Sequence, residues 1–214
     1  MNWLAHIYLA DNTEEDILGN FLGDFLMNVQ WRTEFNTAVQ NGIKTHLEVD
    51  RFSTLHPVFN QSCLRISAPN SMYRTVLIDM FYDHFLARNW SAYSQYSLTD
   101  YVARFHAILR KYRSMLPVRL LQILPLLIDE NWLVSYREFE GIRQALKRLS
   151  LRISHDTKLH HGIFELNDNY EGLENDFHVI MNELKEHTVS FRNHIYSDNC
   201  TDTSPAQCNK RDKG

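Results

Sequence analysis

The sequence predicts an all-α protein: a single compact multi-helix domain over residues 1–196, followed by a disordered polar tail over 197–214. Three observations carry this expectation. Only 7 Gly and 5 Pro occur, too few for the many tight turns of a β-sandwich or barrel. Apolar residues recur at helical spacing along most of the chain, and no segment shows the strict alternation of a half-buried strand. Hydrophobic residues make up 44% of the sequence, with 12 Phe, 10 Tyr and 4 Trp, which is enough for one substantial core but marginal for two.

The elements follow in order. Residues 2–10 form a short apolar helix with His6 in its middle. Thr13 is placed to cap a second helix running to about Met27, and Ile17, Phe21 and Asp24 fall on one face of it. A third helix is expected from about Thr33 to Leu55, where Val39, Ile43, His46 and Asp50 make one stripe. His56-Pro57 ends it. Residues 57–66 make another helical piece, and Ala68-Pro69-Asn70-Ser71 breaks the chain before a long helix over 73–89. Ser97 or Thr99 caps a helix to about Met115. The very apolar 116–128 is read as kinked or split by Pro117 and Pro125. Helices over about 139–152, 156–166 and 170–195 complete the set.

Composition excludes several classes. The net charge of −4 argues against a nucleic-acid coat. No apolar run approaches the length of a membrane span, and Asp11, Glu14, Glu15 and Asp16 follow the first apolar run too closely for a signal peptide. Three cysteines, Cys63, Cys200 and Cys208, give no disulfide framework, so a reduced, cytoplasmic protein is expected. Charge is uneven: residues 101–152 hold 10 Lys/Arg against 4 Asp/Glu, which marks either an anionic partner or a solvated helix face.

The chemistry sits in the first ninety residues. On the 73–89 helix, Asp83 lies within about 20° of Val76 on the apolar stripe, with Asp79 and His84 flanking it. Asp24 and Asp50 are likewise inward on their helices, and His46 stands one turn before Asp50. An ionised acid on an apolar face needs a proton, a counter-charge or a metal. No Lys or Arg shares these stripes. Two readings stand: unrelated structural polar groups, or helices converging on one divalent cation with mixed His/Asp ligands. Other chemistries lack their signatures. There is no Glu-x-x-His for a di-iron bundle, no His-Glu-x-x-His, no phosphate loop and no Gly-x-Ser-x-Gly elbow.

Four blocks in order carry a resemblance. Met1-Asn2-Trp3-Leu4-Ala5-His6 with Gly19-Asn20-Phe21-Leu22-Gly23-Asp24-Phe25 is similar to the opening of the bacterial acyl carrier protein phosphodiesterases. Gly42-Ile43 with His46 and Asp50, Asp83-His84-Phe85-Leu86 with Trp90, and Asn131-Trp132-Leu133 with Tyr136 match their later motifs. The resemblance implies the fold of the His-Asp (HD) metal phosphohydrolases, a manganese cofactor and release of 4′-phosphopantetheine from holo-acyl carrier protein. It implies metal ligation among His6, Asp24, His46, Asp50, Asp83 and His84, with Asp24 and Asp79 as the catalytic or neighbouring carboxylates. The sequence departs from the family pattern at Leu47, Glu48 and Thr54, which leaves Arg51, Arg65 or Arg74 to hold the phosphate. Docking of the acidic carrier falls to the basic residues around Arg104–Arg113 and Arg143–Arg152. The alternatives are a nucleotide phosphohydrolase of the same superfamily and a non-catalytic helical carrier-binding module.

Overall fold

The computed structural model describes residues 1–26, 30–152 and 158–201. Among them no β-strand occurs. Twelve α-helices follow one another: α1 (Trp3–Leu9), α2 (Glu14–Leu22), α3 (Trp31–Glu34), α4 (Thr37–Leu55), α5 (Pro57–Arg65), α6 (Arg74–Arg88), α7 (Leu98–Lys111), α8 (Val118–Asp129), α9 (Trp132–Ser135), α10 (Phe139–Arg152), α11 (Gly162–Asp168) and α12 (Tyr170–Thr201). The all-α expectation holds. The last helix continues to Thr201, into the stretch expected to be tail, and 202–214 lies outside the described residues.

Local chemistry sets the boundaries. The Thr13 hydroxyl accepts from the Asp16 amide at 3.2 Å, starting α2, and the Ser97 hydroxyl accepts from Asp100 at 3.1 Å, starting α7. Asn36 does the same for α4 through the Val39 amide at 3.0 Å, so that helix begins at Thr37 and the expected start near Thr33 becomes the separate turn α3. Pro57 is the first residue of α5, where its missing N–H costs nothing. Helix α8 runs through Pro125 rather than splitting there, with the ring on the exposed side.

Helix α6 is the centre of the bundle. Phe81, Tyr82, Phe85 and Leu86 are all fully buried, so this helix is covered on every side rather than along one stripe. It packs against α1, α5, α10 and α12. The most extensive pairing is between α2 and α4, and glycine permits it. A β-carbon on Gly19 would lie 2.1 Å from the Val39 carbonyl oxygen, and one on Gly42 would lie 2.2 Å from that of Asp16. The close approach brings the polar residues of α2 and α4 face to face.

One buried histidine away from those helices predicts a pH effect. His106 on α7 is 5% exposed and its Nε2 has no hydrogen-bond partner. Burial, aided by the nearby Arg110 charge, lowers its pKa to about 4. In the unfolded chain the ring titrates near 6.5. The unfolded state therefore takes up a proton that the folded state refuses as pH falls below that value. The stability this group contributes is present above about pH 6.5 and lost toward pH 4. His106→Leu should flatten the decline in Tm across that window, as read by thermal melts at several pH values. Parallel declines in both proteins would assign the acid sensitivity elsewhere.

Candidate metal centre

Helices α1, α2 and α4 deliver the site. His6 comes from the middle of α1, and His46 and Asp50 stand one turn apart on α4. One ligand atom from each of these three residues can be chosen so that all lie within 4.8 Å of one another. Asp50 Oδ1 is 3.2 Å from His6 Nε2, and Oδ2 is 3.3 Å from His46 Nε2. The two imidazoles stack with centroids 3.8 Å apart. Asp24 stands at the edge, its Oδ1 3.8 Å from His46 Nε2 and its Oδ2 accepting from Trp3 Nε1 at 2.9 Å.

Asn20 orients both rings. Its backbone carbonyl accepts from His46 Nδ1 at 2.7 Å, and its side-chain oxygen faces His6 Nδ1 at 3.1 Å. A proton on each Nδ1 leaves each Nε2 with a lone pair aimed at carboxylate oxygen. In that tautomer a cation placed between them would satisfy the facing lone pairs, and His6 Nε2 also lies 3.2 Å from the Met1 carbonyl oxygen. Burial, reinforced by His46, depresses the His6 pKa to about 4. Two imidazoles fixed by hydrogen bonds at the far nitrogen, plus a carboxylate, are a donor set that fits a divalent cation.

The chain's first amino group also enters the site. It donates to Asp50 Oδ1 at 3.1 Å and lies 3.0 Å from Asp79 Oδ1. Burial opposes its charge, but Asp79 and Asp50 outweigh that and hold the amine at about 11. Asp79 itself is pushed upward, mainly by burial.

Local backbone choices explain the placement of Asp24. The chain tightens to a 3-10 turn over Gly23–Phe25 instead of continuing α2. Asp24 thus leaves the buried face expected for it, and its side chain is 39% exposed. Gly23 makes room: a β-carbon there would sit 2.2 Å from the His46 ring.

Asp83 and His84 lie apart from this cluster, held by other partners. The Asp83 oxygens accept from the amides of Leu4 and Ala5 at 2.8 and 2.9 Å, in the first turn of α1. Burial raises its pKa to about 7 against the opposing effect of those amides. His84 has Nδ1 2.8 Å from the Tyr136 carbonyl and Nε2 3.1 Å from the Tyr170 hydroxyl, and burial lowers its pKa.

A cavity of about 440 Å³ adjoins the cluster. Asp24 and Asp79 line it together with Trp3, Val76, Met80, Ile123 and Leu149, and with Arg119 and Gln122 of α8. The arginines expected to hold phosphate are engaged elsewhere. Arg51 binds Glu48, Arg65 binds Asp176, and Arg74 donates to the Ile66 carbonyl. None of the three lines the cavity. Sequence reasoning missed Asn20, Trp3 and Arg119. Asn20 carries a faint signal, a polar residue one turn before Asp24 on an otherwise apolar face.

The family model described as acyl carrier protein phosphodiesterase matches residues 1–184. A protein of that name from Yersinia enterocolitica is 28% identical over 178 residues, covering 83% of this chain and 92% of the relative. Its Escherichia coli K12 counterpart has the same identity and coverage. One from Photorhabdus laumondii is 28% identical over 153 residues, covering 71% of this chain and 77% of its own. No solved structure matches the chain.

Proposed function

The chain belongs to the acyl carrier protein phosphodiesterase family, and from that premise we propose that it hydrolyses the phosphodiester joining 4′-phosphopantetheine to holo-acyl carrier protein. The observation that carries the proposal is the oriented His6–His46–Asp50 set beside a cavity lined by two further carboxylates. His6, His46 and Asp50 hold a divalent metal, with manganese the ion the family resemblance implies, and Asp24 is the nearest further carboxylate. When bound, that ion supplies positive charge for the phosphoryl oxygens and acidifies a water. Asp24 is the base: its Oδ1 is turned toward the cluster, Oδ2 is fixed by Trp3, and partial exposure lets it receive and pass on a proton. The water oxygen bonds to phosphorus and the bond from phosphorus to the carrier's serine oxygen breaks. That oxygen takes up a proton, which yields apo-protein and phosphopantetheine. Asp79 holds the amino group against Asp50 and so positions the ligand carboxylate. Asp83 and His84 act by fixing helices rather than by binding the ion.

Carrier proteins are acidic, and the basic residues of α7 and α10 are the docking candidates. They are partly neutralised within the protein. Lys111 pairs with Glu14, Arg143 with Glu140 at 2.7 Å, and Arg148 with Glu130 at 3.6 Å. Among the described residues, Arg104, which donates only to the Asn12 carbonyl, and Arg110, Arg113 and Lys147 carry exposed charge without an ion pair. We place the reaction in the cytoplasm, where the free thiol of Cys63 stays reduced. No helix of the described residues is long and apolar enough to cross a membrane.

The test is incubation of holo-acyl carrier protein with the purified chain and Mn²⁺, read by mass spectrometry. Loss of phosphopantetheine that chelator abolishes and Mn²⁺ restores is the expected result. Cleavage of a nucleotide panel instead would transfer the activity to a small-molecule phosphohydrolase. Carrier binding without cleavage, and with no bound metal, would leave only a binding module.

A further inference from the structure

Resting on the hydrolase reading, we propose that Arg119, with Gln122 beside it, is the residue that grips the substrate's phosphate. The cavity next to the cluster contains two carboxylates, Asp24 and Asp79, and an anionic phosphodiester entering it meets like charge. A metal held by His6, His46 and Asp50 would offset part of that repulsion. Among the described residues, Arg119 supplies the only guanidinium lining this cavity.

Three observations fit the role. Arg119 is exposed and forms no hydrogen bond or ion pair with the described residues, unlike Arg51, Arg65 and Arg74, so its five donors are available. Arg119, Gln122 and Ile123 stand at i, i+3 and i+4 on α8, and all three line the cavity. They therefore present a cation, an amide and an apolar side chain on one helix face. The volume suits a phosphodiester with the first part of an extended chain, and Trp3 and Met80 offer apolar contact to that chain. A planar guanidinium binds two phosphate oxygens at once, which an ammonium cannot do. Lysine should therefore replace Arg119 only in part.

The experiment separates phosphate binding from turnover. Inorganic phosphate is titrated calorimetrically into full-length protein in Mn²⁺ buffer, for wild type, Arg119→Ala, Arg119→Lys and Gln122→Ala. Turnover of holo-carrier protein is followed in parallel, and circular dichroism confirms folding. Arg119→Ala should bind phosphate about ten- to a hundredfold more weakly, Arg119→Lys should recover part of the loss, and Gln122→Ala should show a smaller one. KM should rise in the same order. Equal phosphate affinity in wild type and Arg119→Ala, or no saturable phosphate binding by wild type, would overturn the assignment. Wild-type turnover then shows separately whether the hydrolase reading survives.

Discussion

Asp50→Ala is expected to lower hydrolysis of holo-acyl carrier protein at least about a thousandfold and to leave the purified protein without stoichiometric divalent metal. Asp50 contacts His6, His46 and the amino group together. Burial by itself would raise its pKa. Hydrogen bonding to His46 and His6, together with the ammonium charge, instead holds it well below the ordinary carboxylate range. It is therefore held as an anion near neutral pH. On the proposed function, alanine removes the charge that would bind the cation and leaves two imidazoles, which alone would hold a hard ion such as Mn²⁺ poorly. Asp50→Asn keeps the shape and loses the charge, so it should fail almost as completely. Elemental analysis after dialysis, beside a mass assay of the carrier protein, checks both statements. Full metal content in Asp50→Ala would remove this residue from the ligand set.

How much of this was legible in the chain depends on the distance over which each partner acts. Thr13 and Ser97 declare themselves as caps because their partners lie three residues away. His46 and Asp50 could be placed together because one helix carries both at i, i+4. Their meeting with His6 was legible only as an inward histidine on another apolar stripe. Asp83 looked the same on a helical wheel, but its partners are backbone amides 79 and 78 residues away. A wheel shows that an acid points inward and cannot show whether a cation or a helix N-terminus waits there. His84 is a parallel case, fixed by Tyr136 and Tyr170 from the far half of the chain. Asp24 was misjudged for a local reason, because the change from α to 3-10 geometry at Gly23 turns it off the buried face. Arg119 left no trace in the pattern, since an exposed arginine in a first helical turn is ordinary until the cavity beside it is seen.

Asp83→Ala is expected to damage stability far more than metal binding. Both carboxylate oxygens are fully buried and each caps one amide at the start of α1. Removing them orphans two buried N–H groups, at about 1–3 kcal/mol each. A total near 2–6 kcal/mol corresponds to a fall in Tm of roughly 4–24 °C for a chain of this size. Asp83→Asn should sit between, since one oxygen still accepts while the new NH₂ faces the other amide. His6 lies only one and two residues beyond the capped amides, so loosening α1 should also weaken the metal somewhat. Measured well below the melting point, Asp83→Asn should still carry metal at a stoichiometry close to wild type, which Asp50→Asn should not. Thermal melts and metal content on the same samples separate the two roles. An Asp83→Asn protein that melts like wild type and binds no metal would make Asp83 a ligand, and the amide contacts at α1 would then be incidental.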